Sequence, residues 1–329
     1  MGTLFLAGNS SVSLKYGSLY ITPKIRRVEV RSVIKSMQDR EQVLLAMRTA
    51  PKKEGKTIHK ASVKHMKHLF FSSTEGKITG PALAHLSKAG VPVTYLDEGE
   101  IAYEYMPIIN HGSPEARIRQ VLDPPKITPW KGRSYTKYRI RQLRYLTNGN
   151  LPSISDSLLS HSENASIPEM SNLCDFVRDE FLISEDPEEF QSTIEDSFNR
   201  YMSGYDPPED HETKLIDFRS NSQIREAMSI LSSTIHYQIL LSGLLPHAGG
   251  YISSLQEDLI SELEPLVVLK PWLKEKQRNK YRKLVLTTLD DPRMDLRKRI
   301  LKAAMTYAKY CRNGEPVDKP ALVRVPLKR

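Results

Sequence analysis

At 329 residues the chain has room for about two domains, and a composition of 39% hydrophobic and 26% charged residues is that of a globular protein. No apolar run reaches the ~18 residues of a membrane span, and the two cysteines, Cys174 and Cys311, exclude a disulfide framework or a cysteine-built zinc site, so no membrane partner and a reducing, cytoplasmic setting are expected. The net charge of +9 is spread unevenly along the chain, which favours a polyanionic partner on one face.

The first third reads as β structure. Met1 to Ala7 lacks the basic flank and full apolar core of a signal peptide and reads as a buried first strand. Thr3 to Leu6, Ser11 to Lys15 and Leu19 to Thr22 are short strands, with a hairpin turn at Tyr16-Gly17-Ser18. Arg26 to Val33 alternates Val28 and Val30 with Arg27, Glu29 and Arg31, the period of a half-buried strand. Residues 35–67 are polar and strongly basic, with Gln42 to Met47 as one short helix; the segment reads as an excursion from the sheet, either a basic arm that clamps DNA or an unstructured insertion. Leu69 to Phe71 is a further apolar run. A β-helix-β unit follows: Thr79-Gly80-Pro81 starts a helix that Gly90 stops, Val91 to Leu96 is a strand, Glu98-Gly99 a turn and Ile101 to Met106 the return strand. Residues 107–114, rich in Pro, Asn, Gly and Ser, read as a linker.

The remainder reads as helical. Arg117 to Arg144 holds nine basic residues against Asp123 alone, and Arg133 to Leu146 forms a basic helix. Arginines outnumber lysines there and tyrosines interleave, so Lys131, Arg133, Lys137, Arg139, Arg141 and Arg144 are candidate DNA contacts. Leu151 to Ile167 is serine-rich and reads as a long loop. Asp186 caps a helix with Pro187 at its first position, and Phe190, Ile194, Phe198 and Tyr201 line one face. Ile224 to Leu241, Leu255 to Leu266 and Leu296 to Cys311 are three further helices. The expected class is therefore α+β: an N-terminal β domain over residues 1–107, a linker at 108–116 and an all-α domain over 117–329.

Three segments, in this order, resemble the CRISPR-associated adaptation integrase family. They are Ile78 to Pro107 (ITGPALAHLSKAGVPVTYLDEGEIAYEYMP), Arg225 to Val267 with its G-L-x-P-x-x-G turn at Gly243, Leu244, Pro246 and Gly249, and Tyr307 to Glu315 (YAKYCRNGE). Lys137 to Leu146 is similar to that family's basic helix. The resemblance implies that the β domain dimerises, that the helical domain is of the catalytic type, and that a small CRISPR-associated partner protein bridges two homodimers. It implies metal-dependent transesterification on double-stranded or branched DNA, with Mn²⁺ or Mg²⁺ at the site.

The family's site takes a Glu, a His after the G-L-x-P turn, and an acid from a D-x-x-[DE] helical turn. Here Glu195, in IEDSFNRYM, matches the Glu and Asp258 the first acid, but Ile252 stands at the His and Ser261 at the second acid. Neither Ile252 nor Ser261 is a competent ligand. Glu257 and Glu262 adjoin the acid positions Asp258 and Ser261 but lie ~100° around the helix from them and are expected to face elsewhere. His247, inside the turn, is read as an exposed turn residue and His236 as a core histidine. The expectation is a homologue that binds DNA with reduced or lost chemistry and carries no ion at all, or a weakly held one. The alternatives are an active endonuclease/integrase using Glu195, Asp258 and a nonstandard third ligand such as His247, and a structural subunit paired with an active paralogue.

Overall fold

The structure is a computed structural model that describes residues 2–6, 10–22, 48–49, 59–107, 114–125, 129–146, 158, 160, 167–183, 198–199, 202–204, 209–250, 253–314 and 323. Among these the strands form two sheets. One has the order β1-β6-β8-β9 and the other β4-β5-β3-β2-β7. In the first, β1 (Thr3–Leu6), β6 (His68–Phe71) and β8 (Val93–Asp97) run parallel, and β9 (Glu100–Tyr105) returns antiparallel to β8. In the second, β2 (Ser11–Lys15) and β3 (Ser18–Thr22) form a hairpin. β3 also pairs with β5 (His59–Ala61), β5 with β4 (Arg48–Thr49), and β2 with β7 (Lys77–Ile78).

Both hairpins close through two residues with positive φ, Tyr16-Gly17 (49° and 68°) and Glu98-Gly99 (48° and 91°). Two such residues give the turn twist that matches the twist of the flanking strands. Gly99 is doubly constrained, because a Cβ there would lie 2.7 Å from the Ser222 carbonyl of the helical region. The expected helix at Thr79-Gly80-Pro81 is α1 (Gly80–Lys88), and Gly90 follows it at φ 69°. Leu6, Val12, Leu19, Ile21, Leu69, Phe71, Val93 and Leu86 of α1 fill the space between the sheets.

The other face of the first sheet is buried too. Phe70 and Leu96 point into a second core made almost wholly of helical residues. That core is built around α6 (Ser222–Leu241), which also meets α5 (Glu209–Ser220), α7 (Leu255–Glu264), α9 (Arg278–Asp290) and α10 (Leu296–Asn313). After α7 the backbone widens into a π-helical turn, Pro265–Leu269, all five residues buried, before α8 (Lys270–Lys274). A third cluster joins α3 (Pro129–Leu146) to α4 (Ile167–Ile183) through Ile140, Leu143, Leu173 and Val177, with Phe198.

The α+β class holds. Several elements differ from expectation. Residues read as linker up to 116 already include the start of α2 (Pro114–Leu122), and its Ala116 is buried. Helices α4, α5 and α9 were not anticipated. The strand expected over 26–33, the helix over 42–47 and most of the Asp186-capped helix lie outside the described residues.

One feature of the helical layer is electrostatic. Arg178 of α4 is buried and faces Asp175 (2.9 Å), Asp179 (2.8 Å) and Glu264 of α7 (3.0 Å). Its guanidinium is held firmly in the charged form by those three carboxylates, against the cost of burial. Arg139 of α3 reaches the same Asp175, and the more exposed Arg219 of α5 reaches Asp179. Removing one partner of a buried ion network strands the others without water. Arg178→Ala is therefore expected to lower unfolding free energy by about 3–5 kcal/mol in a denaturant titration, whereas Arg219→Ala, whose side chain is 54% exposed, should cost about 1 kcal/mol or less.

Candidate functional site

The site expected from the sequence lies on the hairpin that joins α6 to α7. Helix α6 starts at the Asn221 cap, whose side chain accepts from the Gln223 N–H at 2.9 Å, and stops at Gly243 with φ 83°. Helix α7 starts in a complete capping box: Ser254 Oγ accepts from the Glu257 N–H at 3.2 Å, and Glu257 Oε2 accepts from the Ser254 N–H at 3.1 Å. Between them the turn is held by side chains from distant elements. Gln120 of α2 donates to the Leu245 carbonyl at 2.9 Å and accepts from the Leu245 N–H at 3.0 Å. Arg117 donates to the Gly243 carbonyl at 2.7 Å. Tyr307 of α10 donates to the Gly249 carbonyl at 2.8 Å. Gly249 and Gly250 are required by space. A Cβ on Gly249 would lie 2.8 Å from Pro124, and one on Gly250 would lie 2.3 Å from Asp258 Oδ2. None of these clamping residues was picked out from the sequence, because each acts across more than fifty residues.

Asp258 lies in the first turn of α7, where a carboxylate is favoured by the helix dipole. Its Oδ1 accepts from the Ser253 N–H at 3.2 Å and from Ser253 Oγ at 3.3 Å, so the group helps to close the turn. Ser261 offers a backbone carbonyl, which accepts from Arg139 at 2.6 Å. Glu262 follows Asp258 by one helical turn, ~40° round the axis from it. The Asp258 charge is felt by the Glu262 carboxyl. Glu262 is buried, however, and its carboxylate accepts from the Val323 N–H at 2.7 Å. Val323 in turn accepts from Tyr138 at 2.5 Å.

His247 is exposed, as read from the sequence, and its ring meets that of His236 edge-on at 5.4 Å. His236 is only partly buried and pairs with Glu104 of β9 at 3.4 Å. Burial lowers its pKa, Glu104 opposing and His247 adding to the effect. Glu195 and Ile252 lie outside the described residues. Among the described residues no group of three His, Cys, Asp or Glu side chains could hold a metal ion. Among the described donors of the expected centre, Asp258 Oδ1 accepts from Ser253, and Ser261 brings no carboxylate.

On the basic helix α3, Lys137, Arg141 and Arg144 are exposed and spaced to share one face. Arg139 corrects the expectation of a DNA contact: it is 3% exposed and committed to Asp175 and Ser261. The side chains of Lys131 and Arg133 lie outside the described residues.

No family model matches the chain, and no curated protein matches it. Solved structures do. A casposase bound to an integration product matches at TM-score 0.59 and 13% identity, over 100% of this chain and 95% of the other. A Cas1 protein from Thermotoga maritima matches at TM-score 0.59 and 14% identity, over 96% and 98% of the two chains. This chain therefore has the fold shared by Cas1 proteins and casposase. No helix among the described residues is long and apolar enough to cross a membrane.

Burial pushes the Glu262 carboxyl up to about 8, against the opposing Val323 N–H, Arg139 and Tyr138. A carboxyl that holds its proton more tightly when folded contributes stability below the unfolded value of 4.5, and loses it as pH rises through about 8. Unfolding free energy is thus expected to fall as pH rises from about 4.5 to about 8, and Glu262→Gln should flatten that slope. Equal pH slopes for the two proteins would remove this reading of Glu262.

Proposed function

We propose that this chain is a divergent Cas1-like integrase homologue that binds double-stranded or branched DNA during CRISPR spacer acquisition, with reduced or lost metal-dependent chemistry. Three things support it. The fold is that of Cas1 proteins and casposase over nearly the whole chain. The basic helix keeps Lys137, Arg141 and Arg144 on an exposed face. The hairpin keeps its G-L-x-P turn while Ile252 and Ser261 stand where an imidazole and a carboxylate are needed.

The last of these carries the reading. An Mn²⁺ or Mg²⁺ ion at such a centre would act as a Lewis acid on the scissile phosphate. Of the family's four positions, only Glu195 and Asp258 retain a side chain that can ligate, and Asp258 is already hydrogen-bonded to Ser253. Residues 1–107 are proposed as the dimerisation domain of a homodimer. Residues 117–329 are the DNA-binding domain, with 108–116 between them, and a small CRISPR-associated protein bridges the dimers. His247 is a turn residue in this account, its ring set edge-on against that of His236.

Two experiments test the proposal. Charge reversal at Lys137, Arg141 and Arg144 should weaken binding to all duplex sequences alike and make the salt dependence shallower by about 1 in log–log slope per lost phosphate contact. With Mn²⁺ and a labelled branched DNA, the purified chain should give little cleavage or strand transfer. Robust strand transfer that disappears in Glu195→Ala would make the chain an active enzyme instead.

A further inference from the structure

Helix α10 carries a pattern that the hairpin and α3 do not use. Its buried stripe is Ile300, Ala304, Tyr307, Ala308 and Cys311, locked into the helical core. Its outer stripe is Lys298, Lys302, Met305, Lys309 and Arg312, all exposed. The spacing is 4-3-4-3, so the five positions form one line about 21 Å long at ~1.5 Å per residue. The helix contains no acidic residue over its 18 positions. None of the four cations pairs with a carboxylate among the described residues.

For stability alone this arrangement is poor. Three cations, Arg297, Lys298 and Arg299, occupy the first turn, where the helix dipole disfavours positive charge. Arg297 is neutralised by Asp290 at 3.2 Å, but Lys298 faces water. Lys298 and Lys302 stand at i,i+4 and repel, as do Lys309 and Arg312 at i,i+3. With no Glu or Asp in the helix, nothing within it offsets these terms. A docked polyanion would.

We propose that the outer stripe of α10 is a second nucleic-acid surface, separate from α3, on which Lys298, Lys302, Lys309 and Arg312 track the phosphate backbone of duplex DNA. The inference rests on the DNA-binding reading and adds a second place where the duplex runs. Duplex DNA is favoured over a lipid surface because the apolar side of α10 is fully used in the core and Met305 alone interrupts the cations, so there is no face to insert into a bilayer. A stripe of 21 Å lies beside on the order of 12 duplex charges, at one per ~1.7 Å of axis, enough to engage all four cations at once.

The test is a salt series of affinity measurements on a short duplex, using the full chain and a variant with Lys298→Ala, Lys302→Ala, Lys309→Ala and Arg312→Ala. Alanine keeps the helix, and circular dichroism verifies the fold. The variant should lose at least about tenfold in affinity at moderate salt, and its log–log slope should become shallower by about 3–4. An unchanged slope overturns the second surface, as does tighter binding of the wild-type chain to phosphatidylserine vesicles than to duplex DNA. The α3 charge-reversal variant, measured alongside, separates the two failures. If it loses affinity and the α10 variant does not, the DNA-binding reading stands and this inference falls. If the unaltered chain binds no duplex, both fall.

Discussion

Helix Ser222–Leu241 is buried on nearly every side, and the positions of the other elements follow from that. Ile230, Leu231, Ile235 and Ile239 are fully enclosed, with strands β8 and β9 of the first sheet on one flank and α7, α9 and α10 on the others. Hydrophobic burial supplies the energy but no register. Register comes from a polar seam in that interface: the Thr94 hydroxyl meets Ser233 Oγ at 2.7 Å and His68 Nε2 at 2.8 Å. Burial lowers the His68 pKa, with Arg297 adding to the effect, so the ring is neutral there. Thr94 also donates to Glu104 at 3.3 Å, and Glu104 pairs with His236 one turn along the same helix. Sheet and helical layer are fastened side chain to side chain, and the hairpin at the end of the helix inherits a fixed position.

That position does not depend on a metal ion. The turn after Gly243 is fixed by Arg117, Gln120 and Tyr307, none of which is a metal ligand in this account. Asp258 remains useful without an ion, because it closes the Ser253 end of the turn. A fold and the site grafted on it can therefore part company.

Local features were legible in the sequence. Gly17 and Gly99 mark their turns because glycine, set between two strand-like runs, takes the left-handed conformation without strain. Helix Gly80–Lys88 carries its proline and glycine at the proper ends. What escaped was non-local or disguised. The parallel pairing of Thr3–Leu6 with His68–Phe71 joins strands more than sixty residues apart. Helix Ile167–Ile183 hides its inner face because Arg178 and Asp179, charged residues that pattern reading assigns to solvent, are buried there in a mutual network. Helix Pro114–Leu122 exposes Ile118, Val121 and Leu122, which blurs its amphipathic period. Within the basic helix nothing in the sequence distinguishes Arg139, turned inward to Asp175, from its exposed neighbour Arg141.

The central claim is that a retained integrase fold no longer assembles an ion-binding centre. The most direct measurement is Mn²⁺ titration of the purified full-length chain, followed by electron paramagnetic resonance of the free ion. The account predicts no saturable site, with free Mn²⁺ tracking the amount added. One tightly held ion per chain, released in Asp258→Ala while circular dichroism shows the fold unchanged, would contradict it.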